Sequence, residues 1–181
     1  MNQRIGILNR NPVALGRWSL IALLIPYIAW LIFAYRYHFL DGVNLLLHEA
    51  GHVVFLVFGQ TAHFVGGTLG QLLFPAVVAL YFLKRGQRFE ACIVGIWFAE
   101  SLMYTAAYIS DARALALPLV GGHIHDWNWL LARWGVLRQA ETIGGLVHFT
   151  ASLTAITLLY FAAVELTPPR RRRTIDEAPS R

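Results

Sequence analysis

His48-Glu49-Ala50-Gly51-His52 is the stretch whose residue types and spacing could do chemistry. On a helix, residues four apart share a face one turn from each other, so His48 and His52 can offer two imidazole nitrogens to one zinc ion. Glu49 falls roughly 100° further round, within reach of a water on that ion without ligating it. A cation that acidifies water, beside a carboxylate that takes the proton, is the arrangement of a metal-activated hydrolase. The bare pattern also arises by chance on wet helix faces. Here the flanks are Leu45, Leu46 and Leu47 on one side and Val53, Val54 and Phe55 on the other, which leaves no wet face. An ionisable residue in such a span is costly and marks a functional site.

A catalytic zinc takes a third protein ligand and keeps an open position. The segment Gly121-Gly122-His123-Ile124-His125-Asp126-Trp127 supplies candidates, with Asp126 first and His125 next. Asp126 also suits the N-cap of a helix starting at Trp127, a role that does not exclude ligation. Glu100, inside another apolar run, is the third candidate; as a buried carboxylate it must face the protein interior, as a ligand or as a hydrogen-bond partner. Asn44 lies one turn before His48 and reads either as a partner orienting an imidazole or as a polar residue near the membrane interface. Asn44 and Asn128 are the amides available to a substrate oxyanion. His63 and His148 read as an ordinary loop residue and a satisfied core histidine.

The elements that must position these residues are membrane helices. The chain has 181 residues, 57% hydrophobic and 14% charged, with a mean hydropathy of +0.52, outside the usual composition of a soluble domain. Long apolar runs cover about 18–35, 41–59, 72–83, 89–109 and 143–164, which predicts an all-α polytopic membrane protein with about five transmembrane helices. The net charge of +5 does not indicate nucleic acid, because Arg170, Arg171, Arg172 and Arg173 form one run after the last apolar segment. Such a cluster faces anionic lipid. The single cysteine, Cys92, excludes an intrachain disulfide and a cysteine zinc site, and reads as a packing residue. Residues 1–167 form one membrane domain, and 168–181 are a basic, flexible tail. The glycine-rich stretch 60–71 reads as a re-entrant segment beside the metal site or as an interfacial loop. Five crossings place the chain ends on opposite sides, yet 84–88 and 170–173 claim the cytoplasmic side together, leaving Arg4, Arg10 and Arg17 outside. A re-entrant segment counted as a span resolves that conflict.

The intramembrane His48-Glu49-Ala50-Gly51-His52, followed far downstream by Leu117-Pro118-Leu119-Val120-Gly121-Gly122-His123, resembles the site-2 protease family of membrane zinc metallopeptidases (peptidase family M50). That family pairs the embedded motif with a later Leu-Asp-Gly-Gly segment whose aspartate is the third ligand, and it cleaves helices in or near the bilayer. The resemblance implies His48 and His52 as ligands of one Zn²⁺ per chain, Glu49 as general base, and a membrane-protein or peptide substrate. Val120 stands where the family has aspartate and cannot bind zinc, so the third ligand falls to Asp126 or His125. A chain of this length has no room for a PDZ or other soluble module, so the expectation is a minimal, divergent member in a bacterial cell membrane. The competing reading is a non-proteolytic membrane metal- or haem-binding protein, serving as sensor, transporter or scaffold; Val120 is the best argument for the scaffold.

Overall fold

The computed structural model describes residues 12–120 and 124–167. Among them are helices α1 (Pro12–Ala34), α2 (Phe39–Phe55), α3 (Gln60–Lys84), α4 (Arg88–Asp111), α5 (Asp126–Arg133) and α6 (Ala140–Glu165), and no strand. Five helical segments are long and apolar enough to cross a membrane: α1, α2 with the short 3₁₀ turn to Phe58, α3, α4, and α6 with the turn before it. The short α5 is the exception. The chain is thus an all-α, multi-pass membrane protein. Large apolar side chains such as Phe33, Phe39 and Val57 stay exposed on its outer surface, where acyl chains would cover them. The basic tail expected at 168–181 lies outside the described residues.

The glycine-rich stretch 60–71 is neither a re-entrant piece nor a loop. It is the first half of α3, entered through Gly59 at φ 94°, a conformation that suits glycine. Its glycines let two helices touch along their backbones. A Cβ at Gly51 would fall on the Gly66 carbonyl oxygen, and one at Gly70 on the Leu47 carbonyl. Small residues at a helix interface allow this approach, which membrane helices use because apolar burial does not drive their association in lipid.

Helix directions follow from the side chains that meet. Arg17 on α1 pairs with Glu90 at the start of α4 and lies 4.9 Å from the centre of the Phe89 ring, while Leu31 near the end of α1 shares a core with Met103. These two helices run the same way. Helix α6 opposes both: Ala162 packs with Ile21 and Phe89, beside Cys92, and the His148 Nε2–H donates to the Ile32 carbonyl at 3.1 Å. Helix α3 also opposes α4, since Gln71 bonds Thr105 while Phe74 meets Trp97. Helix α2 opposes α3, because His48 reaches Gln71 while Phe55 would block a Cβ at Gly66. It follows that α2 runs in the same direction as α1.

The connector 35–38 makes this parallel run feasible by folding back along α1. The His38 ring lies 2.6 Å from the Tyr27 hydroxyl and edge-on to Trp30, so α2 begins part-way along the bundle. Asp41 accepts from the His38 backbone N–H at 2.8 Å, which satisfies non-helical backbone where water is scarce. The chain turns back at this connector, not at 60–71. The start of α1, the α3–α4 turn and the end of α6 share one end of the bundle, with Arg17, Lys84, Arg85 and Arg88. The run 170–173 follows the end of α6 in sequence. An excess of basic residues at that end is what the positive-inside rule expects of a cytoplasmic face.

Reporter domains fused ahead of residue 12 and after residue 167 are therefore expected to report the same, cytoplasmic side; opposite sides would refute the parallel course of α1 and α2. Gly51→Ala should cost about 1–3 kcal/mol by overpacking, seen as a lower melting temperature in detergent. Gly145→Ala, with nothing within 4 Å of the added methyl, should leave melting unchanged or raise it slightly, since alanine is the better helix former.

Candidate metal centre

His48 and His52 lie on the face of α2 that packs on α3, and each has its Nδ1 tied. His48 Nδ1 is 3.0 Å from Gln71 Oε1. Gln71 spends its amide N–H groups on the Thr105 hydroxyl at 2.6 Å and on the Ser101 carbonyl at 3.3 Å, so its oxygen faces His48 and accepts. His52 Nδ1 is 2.8 Å from the His63 carbonyl oxygen, which can only accept. Both rings therefore donate from Nδ1, which leaves Nε2 of a neutral imidazole as a lone pair. Gly67 lies against the His48 ring, in space that a Cβ would take from Nε2.

Both Nε2 atoms converge on one oxygen. Asp126 Oδ2 stands 2.8 Å from His48 Nε2 and 3.2 Å from His52 Nε2, and one ligand atom from each residue falls within 4.8 Å of the others. Imidazole lone pairs facing a carboxylate oxygen need a cation or extra protons between them, and this donor set of two nitrogens and one carboxylate suits zinc. The outer contacts of both rings are those that orient metal-bound histidines elsewhere. The donor set fits the ion, whose entry would part the Asp126 oxygen from both nitrogens to roughly 3.4 Å.

Helix α5 delivers Asp126. His125, not Asp126, caps it: its Nδ1 accepts from the Asn128 backbone N–H at 3.2 Å. The capping role expected of Asp126 thus falls one residue earlier, and the carboxylate is left to face α2. The Asp126 backbone N–H donates to the Tyr108 hydroxyl at 3.3 Å, and Trp127 Nε1–H donates to the Thr68 hydroxyl at 3.1 Å. Burial pushes the Asp126 carboxyl up, but the two imidazoles beside it, when they carry the extra protons, outweigh it and hold it below the usual carboxylate range.

Glu49 is half-buried on the wall of a cavity of about 740 Å³ and makes no hydrogen bond with the described residues. His48, His52 and Asp126 open onto the same cavity, whose other walls include Leu45, Val53, Phe64 and Tyr108. The loop after α4 covers it with Leu117, Pro118, Leu119 and Val120. Val120 thus stands beside the centre as an apolar wall.

The other two candidates for the third ligand are elsewhere. The His125 ring stacks on Tyr108 at 4.0 Å and points Nε2 toward Asp111 at 3.5 Å; burial holds its pKa down against that carboxylate. Glu100 sits with His38 and Asp41 in a separate group. Asn44 orients no imidazole. Its Nδ2 donates to Glu100 at 2.9 Å, and its oxygen accepts from Trp97 at 2.9 Å. Asn128 Nδ2 donates to the Ala112 carbonyl at 2.7 Å, and neither amide lines the cavity onto which the centre opens. His63 enters through its backbone, and its ring donates back to the His52 carbonyl at 3.1 Å. His123 lies outside the described residues. Gln71 and Tyr108 were not marked by spacing; a glutamine and a tyrosine within apolar helices were the only signals for them.

The sequence matches no family model, no curated protein and no solved structure. Gln71→Leu removes the acceptor that sets the His48 tautomer, and zinc affinity should fall about 10- to 100-fold, as titrated against a competing chelator. Unchanged affinity would show that Gln71 does not orient the ring.

Proposed function

We propose that this protein is a membrane-embedded zinc endopeptidase. The observation that carries the reading is the convergence of His48, His52 and Asp126 on one point with Glu49 beside them on a shared apolar cavity. The three converging residues would hold one Zn²⁺. Bound there, zinc supplies Lewis-acid chemistry, acidifying water and polarising a carbonyl.

The chain's own groups supply the rest. The Glu49 carboxylate takes the proton of the attacking water as the C–O bond forms, then delivers it to the nitrogen as the C–N bond breaks. Gln71 and the His63 carbonyl keep both rings in the tautomer that leaves Nε2 free. The Tyr108 hydroxyl accepts the Asp126 N–H and keeps its own proton to donate into the cavity, where negative charge develops on the substrate carbonyl. Apolar walls select an apolar segment of a membrane protein or membrane-adjacent peptide. Such a segment must unwind locally, since the amides of an intact helix are already bonded.

Purified protein with Glu49→Gln should retain about one zinc at this centre and lose cleavage of an apolar peptide library by at least about 100-fold. Asp126→Ala and His48→Ala should lose the zinc as well. Full cleavage by the Glu49→Gln protein would exclude this mechanism, and metal retention with no cleavage in wild type would favour a metal-binding sensor or transporter.

A further inference from the structure

A second group of ionisable side chains lies roughly 10 Å from the first, seven residues back along α2 at the helical rise. It comprises His38 at the N-cap of α2, Asp41 in its first turn and Glu100 in the middle of α4. Asp41 is fully buried and Glu100 is 1% exposed. One ligand atom from each of the three lies within 4.8 Å of the others. Nothing in the proposed peptidase chemistry uses them.

The hydrogen bonds around this group show what is missing. Asp41 accepts from the Tyr35 hydroxyl at 2.6 Å through Oδ1 and from the His38 ring Nδ1 at 2.7 Å through Oδ2. A hydroxyl facing a carboxylate oxygen donates, so that Asp41 oxygen is taken. Glu100 accepts from Asn44 through Oε2. Its other oxygen, Oε1, is buried with no hydrogen-bond partner among the described residues, and faces His38 Nε2 at 3.7 Å. With Nδ1 donating to Asp41, that Nε2 carries a lone pair, toward which the Tyr27 hydroxyl turns at 2.6 Å. A lone pair and an orphaned carboxylate oxygen thus confront each other beside a second carboxylate.

From this geometry we infer that His38 Nε2 and Glu100 Oε1, with Asp41 behind the imidazole as its outer partner, form a second divalent-cation site, suited to a first-row transition metal such as Zn²⁺ or Mn²⁺. Two ligand atoms each about 2.1 Å from an ion, at angles from tetrahedral to linear, stand roughly 3.4–4.2 Å apart. The separation of His38 Nε2 from Glu100 Oε1 falls in that interval and is too long for a hydrogen bond. One imidazole nitrogen with a carboxylate oxygen, completed by water, is a donor set for borderline divalent metals, more than for calcium or magnesium. A doubly charged ion also neutralises both carboxylates where low dielectric makes net charge most costly. The His38–Asp41 bond is the outer carboxylate contact that orients a ligating imidazole. An entering cation displaces the Tyr27 hydroxyl. Once bound, it fastens the connector 35–38 and the start of α2 to α4, and so holds the segment that carries His48.

The test uses full-length protein in detergent, stripped by chelator, reloaded separately with Zn²⁺ and Mn²⁺, and washed. Metal per chain is then counted for wild type, H48A/H52A, E100Q and the combined variant, with melting recorded for each. The expected counts are two, one, one and none, and added metal should raise the melting temperature of H48A/H52A but not of the combined variant. A wild-type count of one that is lost in H48A/H52A and kept in E100Q overturns the second site and leaves the peptidase centre standing. A count of one lost only in E100Q does the reverse. If E100Q does not fold, H48A/H52A alone decides: no bound metal and no metal-dependent melting shift overturn the proposal.

Discussion

The inner face of α2 carries Asp41, Asn44 and His48 into an apolar bundle, and the need to satisfy those groups governs how the other helices meet it. A buried polar group without a partner costs free energy comparable to a lost hydrogen bond, and more where no water can substitute. Each therefore has an answering residue on a different element. Tyr35 and His38 answer Asp41, Trp97 and Glu100 answer Asn44, and Gln71 answers His48. These contacts register the connector, α3 and α4 against one helix. Among the described residues two such atoms are left over where charges converge, Glu100 Oε1 and His125 Nε2, and of these the first faces a lone pair.

Backbone contact between α2 and α3 makes that registration tight. Gly51 against Gly66 and Gly70 brings the two helices close enough for the His63 carbonyl to reach His52 and for Gln71 to reach His48. Side chains at those positions would hold the helices apart and leave both imidazoles without their outer partners. The glycines thus act on the chemistry through distance. The same stretch that breaks an apolar pattern in sequence is, in three dimensions, what lets two histidines settle into one tautomer.

Course and charge also belong together. Because the connector 35–38 turns back along α1, the helix with the His-Glu-x-x-His motif starts inside the bundle and rises in the same direction as the helix before it. Among the described residues, the start of α1, the α3–α4 turn and the end of α6 therefore share one end of the bundle, where Arg17, Lys84, Arg85 and Arg88 gather. The centre formed by His48, His52 and Asp126 lies toward the other end, beneath the loop that carries Leu117 to Val120.

Composition and local spacing determined the membrane class, the helical content, the approximate limits of the long helices, and the pairing of His48 with His52 and Glu49. Those features depend on residues a few positions apart, and helical periodicity alone relates them. The tertiary structure decided everything that pairs distant segments. Among three candidates it brought Asp126 to the two histidines, because His125 took the cap of α5 and Glu100 was drawn to Asn44 and His38. It also made 60–71 a helix rather than a re-entrant segment, since glycine reads as a breaker until a second helix packs against it. Which of several carboxylates a histidine meets is set by helix direction and register, and no spacing within one segment encodes either.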